Sequence, residues 1–296
     1  MTYHLLLAFD NDYAAHAATT LTSFLANNTV NNSWRITVLS STLKNTHELQ
    51  MLDISARYGS KIEFRTISET LLVGVPLGEH FSVSNYYRLF AADIIEDDFC
   101  LYLDVDIVVT DDISELWKLP LSDYYVAAVE DFGFDRHREL SMDPNSAYFN
   151  SGVMLINLKL WRQSGVRERV IEFVKENKDS IKFVDQCGLN AIIDGRWCKL
   201  DRIYNYQSYM CTGVQENISH ADLHPKIIHY TGSSKPWQMG CIHPLKSKYW
   251  EYRKKTKYKT LFYDDFTIIR AISYITPRSL KDLFKKVYLS LDTNKK

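Results

Sequence analysis

The sequence predicts an α/β protein, a mainly parallel sheet with helices on both faces, and three observations lead there. Short apolar or β-branched runs alternate with helically spaced segments through residues 3–193, the pattern of a sheet covered by helices. Neither GxGxxG nor GxxxxGK(S/T) occurs, so neither the dinucleotide-binding nor the P-loop version of this architecture is indicated. Asp10, Asp12, Asp104 and Asp106 all follow strand-like runs, where ligands of open α/β sheets bind.

Residues 3–9, 35–39, 61–67, 100–104, 125–129 and 152–158 are the expected strands. Residues 13–25, 47–58, 86–95 and 186–193 carry helical spacing. Asn45 with Glu48 three residues on reads as a capping box, Ser84 as the cap of the third helix and Asp185 as the cap of the fourth. A boundary is expected near residues 244–249, where the charge changes sign. Residues 246–296 hold 14 Lys/Arg against 5 Asp/Glu, leaving 21 against 31 for residues 1–245. The expected division is 1–248 as the main domain and 249–296 as a basic, aromatic-rich tail. Within that tail Leu280, Leu283, Phe284, Val287, Tyr288 and Leu291 form one apolar stripe, with Arg278, Lys281, Lys285 and Lys286 off it. This is the pattern of a helix lying on an anionic membrane, the alternative being a helix packed on the core.

The 296 residues suffice for one large core. Five cysteines without a CxxC argue against a disulfide framework and for a reducing compartment. The apolar run at residues 5–9 has no basic residue before it and acids after it, so it reads as a strand and not as a signal peptide. A cytoplasmic protein is expected, with peripheral membrane contact through the tail. An acidic body without a basic Gly-rich loop argues against nucleic acid as a partner.

The run FCLYLDVDIVV, residues 99–109, presents Asp104 and Asp106 at period-2 spacing, on one side of a strand. Each acid raises the other's proton affinity unless a cation neutralises both. A divalent metal is the simplest remedy; a turn with two solvated acids or a structural calcium loop are the alternatives. HYTGSSKPW, residues 229–237, is built like an anion grip. Gly232 permits close backbone approach, Lys235 supplies a point charge and His229 is a candidate neutral metal ligand; a core histidine beside an exposed lysine is the plain alternative. Asn150 and Ser151 stand before Gly152 at the mouth of a buried strand, either as ligand contacts or as a turn. Asp185 and Gln186 open a helix, where capping alone is the alternative. Arg88, four residues after Ser84, reaches toward the strand tips or forms a surface ion pair.

In this order and spacing LAFDNDYA, FCLYLDVDIVV, YFNSGVMLINLKLWR, FVDQCGLN and HYTGSSKPW resemble the family 8 glycosyltransferases, notably the bacterial lipopolysaccharide galactosyl- and glucosyltransferases, over about residues 1–250. The resemblance implies a GT-A type fold, with a mixed, mainly parallel sheet. It implies retaining transfer of a hexose, galactose or glucose, from a UDP-sugar to a glycan or glycolipid hydroxyl in lipopolysaccharide or surface-glycan assembly. Asp104, Asp106 and His229 would hold Mn²⁺ (or Mg²⁺) on the diphosphate. Ala8, Asp10, Asp12, Tyr13 and Val105 would meet the nucleotide, Tyr13 by stacking on uracil. His80, Gly232 and Lys235 would contact phosphate, and Arg88, Asn150, Asp185 and Gln186 the donor sugar, Gln186 nearest the anomeric carbon. Where relatives carry one acid, Glu130 and Asp131 both stand. Other readings are a UDP-sugar-binding protein without catalysis and a haloacid-dehalogenase type phosphatase, whose later lysine and acidic pair are not found.

Overall fold

The computed structural model describes residues 3–28, 34–78, 82–212, 224–260, 262–268, 270, 272 and 276. His80 and the stripe at residues 280–291 lie outside them. In chain order the elements are β1 (His4–Ala8), α1 (Ala14–Asn27), β2 (Arg35–Ser40), α2 (Asn45–Arg57), β3 (Lys61–Thr66), α3 (Ala91–Ile94), β4 (Phe99–Leu103) and β5 (Ile107–Val109). There follow β6 (Val126–Glu130), β7 (Phe149–Asn157), α4 (Leu158–Ser164), α5 (Val166–Glu176), α6 (Val184–Ile193), β8 (Trp197–Lys199), β9 (Tyr206–Gln207), β10 (Ile227–His229) and α7 (Lys246–Arg253).

Seven strands form the main sheet in the order β3-β2-β1-β4-β7-β6-β8. Only β7 runs antiparallel to its neighbours β4 and β6, so the sheet is mixed and mostly parallel, as expected. Along β1, Leu5 and Leu7 enter one apolar core with α1 and α2, while Leu6 and Ala8 enter a second with residues 86–92 and α4 to α6. Both faces are buried, hence the unbroken apolar runs.

Three expectations are corrected. FCLYLDVDIVV is not one strand: β4 ends at Leu103, Asp104 to Asp106 form a turn, and β5 joins a second sheet, β5-β10-β9. The chain turns there because β4 pairs with β7 of the main sheet while β5 pairs with β10 of the second. The third helix is a 3₁₀ run, Val83–Phe90, followed by α3, and its cap is Ser82, not Ser84, paired with Asn85 in a capping box. Asn45 is the first helical residue of α2 and makes no cap; the side chain of Asn11 instead accepts from Lys44 N (2.9 Å).

Helix α7 packs on α1. Tyr249 Oη lies 2.7 Å from both His16 Nδ1 and Arg253 Nη1, and Asn27 Nδ2 donates to Tyr252 Oη (2.8 Å). The His16 ring stacks on Trp237 at 3.5 Å. Arg253 Nη1 also lies 3.3 Å from His16 Nδ1, and arginine only donates, so Nδ1 is an acceptor and a neutral His16 carries its proton on Nε2, 3.6 Å from Asp264. Burial, then the Arg253 charge, lowers its proton affinity well below the ordinary value. Burial likewise lowers those of His4 and His243, the latter to about 4.

These depressed values make the unfolded chain bind protons first as pH falls. Stability is expected to hold above the ordinary histidine pKa of about 6.5 and to drop below it, by up to about 1.4 kcal/mol per pH unit for each such ring. Urea midpoints between pH 8 and 5 check this; His16→Gln should shallow the slope.

Candidate active site

The site forms where the chain leaves the main sheet. β5 pairs antiparallel with β10, bringing His229 opposite Ile107. Tyr230 N donates back to Asp106 O (3.0 Å), and Asp104 N to Gly152 O of β7 (2.8 Å). These backbone bonds hold the acidic turn between the two sheets. One ligand atom from each of Asp104, Asp106 and His229 lies within 4.8 Å of the others. His229 Nε2 is 3.2 Å from Asp106 Oδ1 and 3.7 Å from Asp104 Oδ2. Two carboxylate oxygens and one imidazole nitrogen suit a divalent cation of intermediate hardness. Gly152 makes room for them, since a Cβ there would meet His229 Cε1 at 2.2 Å and Asp104 Oδ2 at 2.7 Å.

Cations brace the acids from either side. Lys235 Nζ donates to Asp106 Oδ2 (2.6 Å) and to Tyr230 O (2.7 Å). Burial works against the Asp106 carboxylate, but the Lys235 ammonium and then His229 outweigh it and hold its carboxyl far below the usual range. Lys235 is placed there by Gly232, whose φ of +80° turns the loop back on β10. Arg88, 2% exposed, lies between Asp104 (2.9 Å) and Asp185 (3.1 Å) and donates to Ser151 O (2.8 Å). Burial opposes its charge, and the two carboxylates hold it on. Tyr102 Oη donates to Asp104 Oδ1 (2.6 Å).

Asp185 is no cap: α6 begins at Val184 after Phe183, which makes no side-chain cap bond. Val184 has φ of +30°, a conformation costing a β-branched residue on the order of 1–3 kcal/mol. This strained start turns Asp185 and Gln186 into the site. Arg88 Nε gives its hydrogen to Asn85 O (3.0 Å), so Asp185 Oδ2 is charge-paired yet accepts no hydrogen bond among the described residues. Burial pushes its carboxyl up to about 7, although Arg88 pulls the other way. Gln186 Oε1 accepts from Ser151 N (2.9 Å), and its Nε2 donates to Asp131 Oδ2 (3.2 Å). Of the two acids at residues 130–131, Asp131 therefore reaches this group, while Glu130 pairs with Lys199.

At the other end, Asp10 caps the turn after β1, its Oδ1 accepting from the amides of Asp12 (3.2 Å) and Tyr13 (3.3 Å) and its Oδ2 from Ser82 Oγ (3.2 Å). Tyr13 is exposed, edge-on to Trp237 at 6.2 Å. Asp12 is exposed, and Ala8 and Val105 are buried beside the turns that carry Asp10 and the acid pair.

Residues 4–241 match the model of Glycosyl transferase family 8. The chain belongs to that family. It is 30% identical over 272 residues to General stress protein A of Bacillus subtilis (strain 168), covering 87% of this chain and 95% of that protein. It is 26% identical to Glycosyltransferase GlyF of Streptococcus pneumoniae serotype 4, covering 86% of this chain and 62% of that one. The galactosyltransferase LgtC, solved in complex with donor and acceptor sugar analogues, superposes with a TM-score of 0.79 at 25% identity, over 87% of this chain and 98% of its own. The fold is thus of the GT-A type.

The family 8 chain gathers most of the residues singled out from its sequence. Asp104, Asp106, His229, Lys235, Arg88, Asp185, Gln186 and Asn150 share one neighbourhood, and Asp10, Asp12 and Tyr13 flank it; His80 lies outside the described residues. Arg88 is a buried brace and not a surface ion pair. Sequence reasoning missed Tyr102, Ser82, Trp237 and Asn205. Tyr102 was readable, two residues before Asp104 in the same apolar run. Asn205 left no such signal, its partners lying 55 and 24 positions away in the sequence.

Replacing Arg88 by methionine leaves two carboxylates facing each other in the interior. A loss of about 3–5 kcal/mol is expected in urea unfolding, the cost of an uncompensated buried charge. A loss below 1 kcal/mol would show that Asp104 and Asp185 do not depend on it.

Proposed function

We propose that the protein is a metal-dependent retaining glycosyltransferase. It transfers a hexose, galactose or glucose, from a UDP-sugar to a hydroxyl of a glycan or glycolipid acceptor, in the assembly of lipopolysaccharide or another surface glycan on the cytoplasmic side of the membrane. The observation that carries this reading is the Asp104–Asp106–His229 cluster at the strand tips, with Lys235 beside it. Its likeness to LgtC, a galactosyltransferase solved with donor and acceptor sugar analogues, supports a nucleotide-sugar donor and a sugar acceptor.

Asp104, Asp106 and His229 would hold Mn²⁺ or Mg²⁺, which when bound supplies Lewis-acid stabilisation of the leaving diphosphate. Lys235 keeps a third N–H, beyond those given to Asp106 and Tyr230, for a phosphate oxygen. Asp10 and exposed Tyr13 form the uracil end, with Asp12, Ala8 and Val105 alongside. Asp185, a buried acid held by Arg88, would stand on the donor-sugar side. Gln186 presents its amide to the sugar in an orientation set by Ser151 and Asp131. Its Oε1 is already engaged and an amide is a poor nucleophile, so Gln186 orients the ring while the acceptor enters on the face that UDP leaves.

Incubation with a panel of UDP-sugars and Mn²⁺ should release UDP slowly from one hexose donor. EDTA should abolish release, Asp106→Asn should reduce it at least 100-fold, and an acceptor product should keep the α configuration by NMR. Turnover in excess chelator, or a β-linked product, would overturn the reading.

We divide the chain into a catalytic unit, 1–248, and a basic tail, 249–296, whose start in α7 is packed on α1 through Tyr249 and Tyr252. No helix among the described residues is long and apolar enough to cross a membrane. Exposed Lys254 and Lys259, followed by exposed Phe262, Phe266 and Ile268, support docking of the tail on an anionic bilayer. Deleting residues 270–296, which removes the stripe at 280–291 but keeps these exposed groups, should spare donor hydrolysis yet weaken sedimentation with anionic vesicles. Loss of hydrolysis would instead make the tail part of the catalytic fold.

A further inference from the structure

Asn205, just before β9, is fully buried and takes no part in the chemistry outlined above. Its carboxamide spans the two sheets. Nδ2 donates to Asn150 Oδ1 of β7 at 2.9 Å, and Oδ1 lies 2.9 Å from His229 Nδ1 of β10. Which end of each amide faces which partner follows from one unambiguous donor. The backbone N–H of Gly152 can only donate, and it reaches the Asn150 side chain at 3.0 Å, so the atom there is Oδ1. The Asn205 atom facing that oxygen must then be its NH₂. The other end of Asn205 is therefore a carbonyl oxygen, and His229 Nδ1 must carry a hydrogen to meet it. Nε2, the nitrogen 3.2 Å from Asp106 and 3.7 Å from Asp104, is then the one left to offer a lone pair to a cation.

We propose that Asn205 is the positioning residue that makes His229 a metal ligand, by pinning a hydrogen on Nδ1 and aiming Nε2 between the two aspartates. This rests on the metal-dependent reading of the site. The relay runs Gly152 N–H to Asn150 Oδ1, Asn205 Nδ2 to that same oxygen, and His229 Nδ1–H to Asn205 Oδ1. Ring orientation and tautomer are set together, because rotating the imidazole would strand a buried amide oxygen without a donor. Asn150 thereby serves two partners. Its oxygen is consumed by the relay, and only its NH₂ is left for a sugar.

Two measurements test this. In protein labelled with ¹⁵N-histidine, the ring shifts of His229 should show Nδ1 protonated without any metal, and an unprotonated Nδ1 overturns the proposal outright. Mn²⁺ affinity, read from the free-ion EPR signal, should fall 10- to 100-fold in Asn205→Leu, the usual loss when the partner behind a ligating histidine is removed. Asn205→Asp keeps an acceptor for Nδ1–H and should bind Mn²⁺ at least as tightly as the native chain. Equal losses in the two variants would mark Asn205 as a packing residue and overturn the proposal, as would unchanged affinity in Asn205→Leu. If Asn205→Leu does not fold, the native Nδ1 state and the Asn205→Asp affinity decide it. A native chain that binds no Mn²⁺ but shows Nδ1–H would sink the metal-dependent reading while leaving the relay intact.

Discussion

Three carboxylates, Asp104, Asp106 and Asp185, converge at the mouth of the sheet, and the molecule is organised around offsetting their repulsion. Ligand atoms of the first two lie within 4.8 Å of each other. At that separation two like charges repel by about 3–4 kcal/mol in a partly screened interior. Arg88 answers for Asp104 and Asp185, Lys235 for Asp106. The two cations come from segments far apart in sequence, residues 83–90 and the loop after β10. Satisfying the charges therefore ties the 3₁₀ run, the acidic turn, α6 and the second sheet into one body.

The acidic turn also hands the chain from one sheet to the other. β4 belongs to the seven-stranded sheet, and β5, four residues later, pairs with the strand that carries His229. β10 also pairs with β9, the strand that follows Asn205. A redirected backbone thus creates a three-residue cluster from parts that no local rule would bring together. Gly152 completes it from the main sheet, because its missing side chain is the space in which His229 and Asp104 stand.

Helix α7 extends this body to Tyr13. Through Tyr249 and Arg253 it fixes His16, His16 stacks on Trp237, and Trp237 stands edge-on to Tyr13. Trp250 Nε1 donates to Pro236 O (2.9 Å), next to Lys235. The surroundings of Tyr13 and of Lys235 are therefore anchored by the segment in which the basic tail begins. Packing there is aromatic around one buried cation, Arg253, which is paired with Asp264, so protonating His16 beside it would add a second positive charge to the cluster.

The alternation of apolar runs with helical spacing determined the layered α/β architecture, because burial on both faces of a sheet imposes that pattern on any chain. The same logic exposed Asp104 and Asp106, polar groups at the end of an apolar run with no local reason to be there, whereas Lys235 and Gln186 stood out through the segments HYTGSSKPW and FVDQCGLN that carry them. Caps and element ends were less legible: Asn45 and Ser84 were suitable caps that lost to neighbours with better long-range partners, and the acid pair was a turn because β5 had a partner in β10. Asn205 and the choice of Asp131 over Glu130 came only from the tertiary structure. A hydrogen bond between residues 24 or 55 positions apart leaves no periodicity in the sequence, and a carboxamide acquires its direction only when its neighbours have taken theirs.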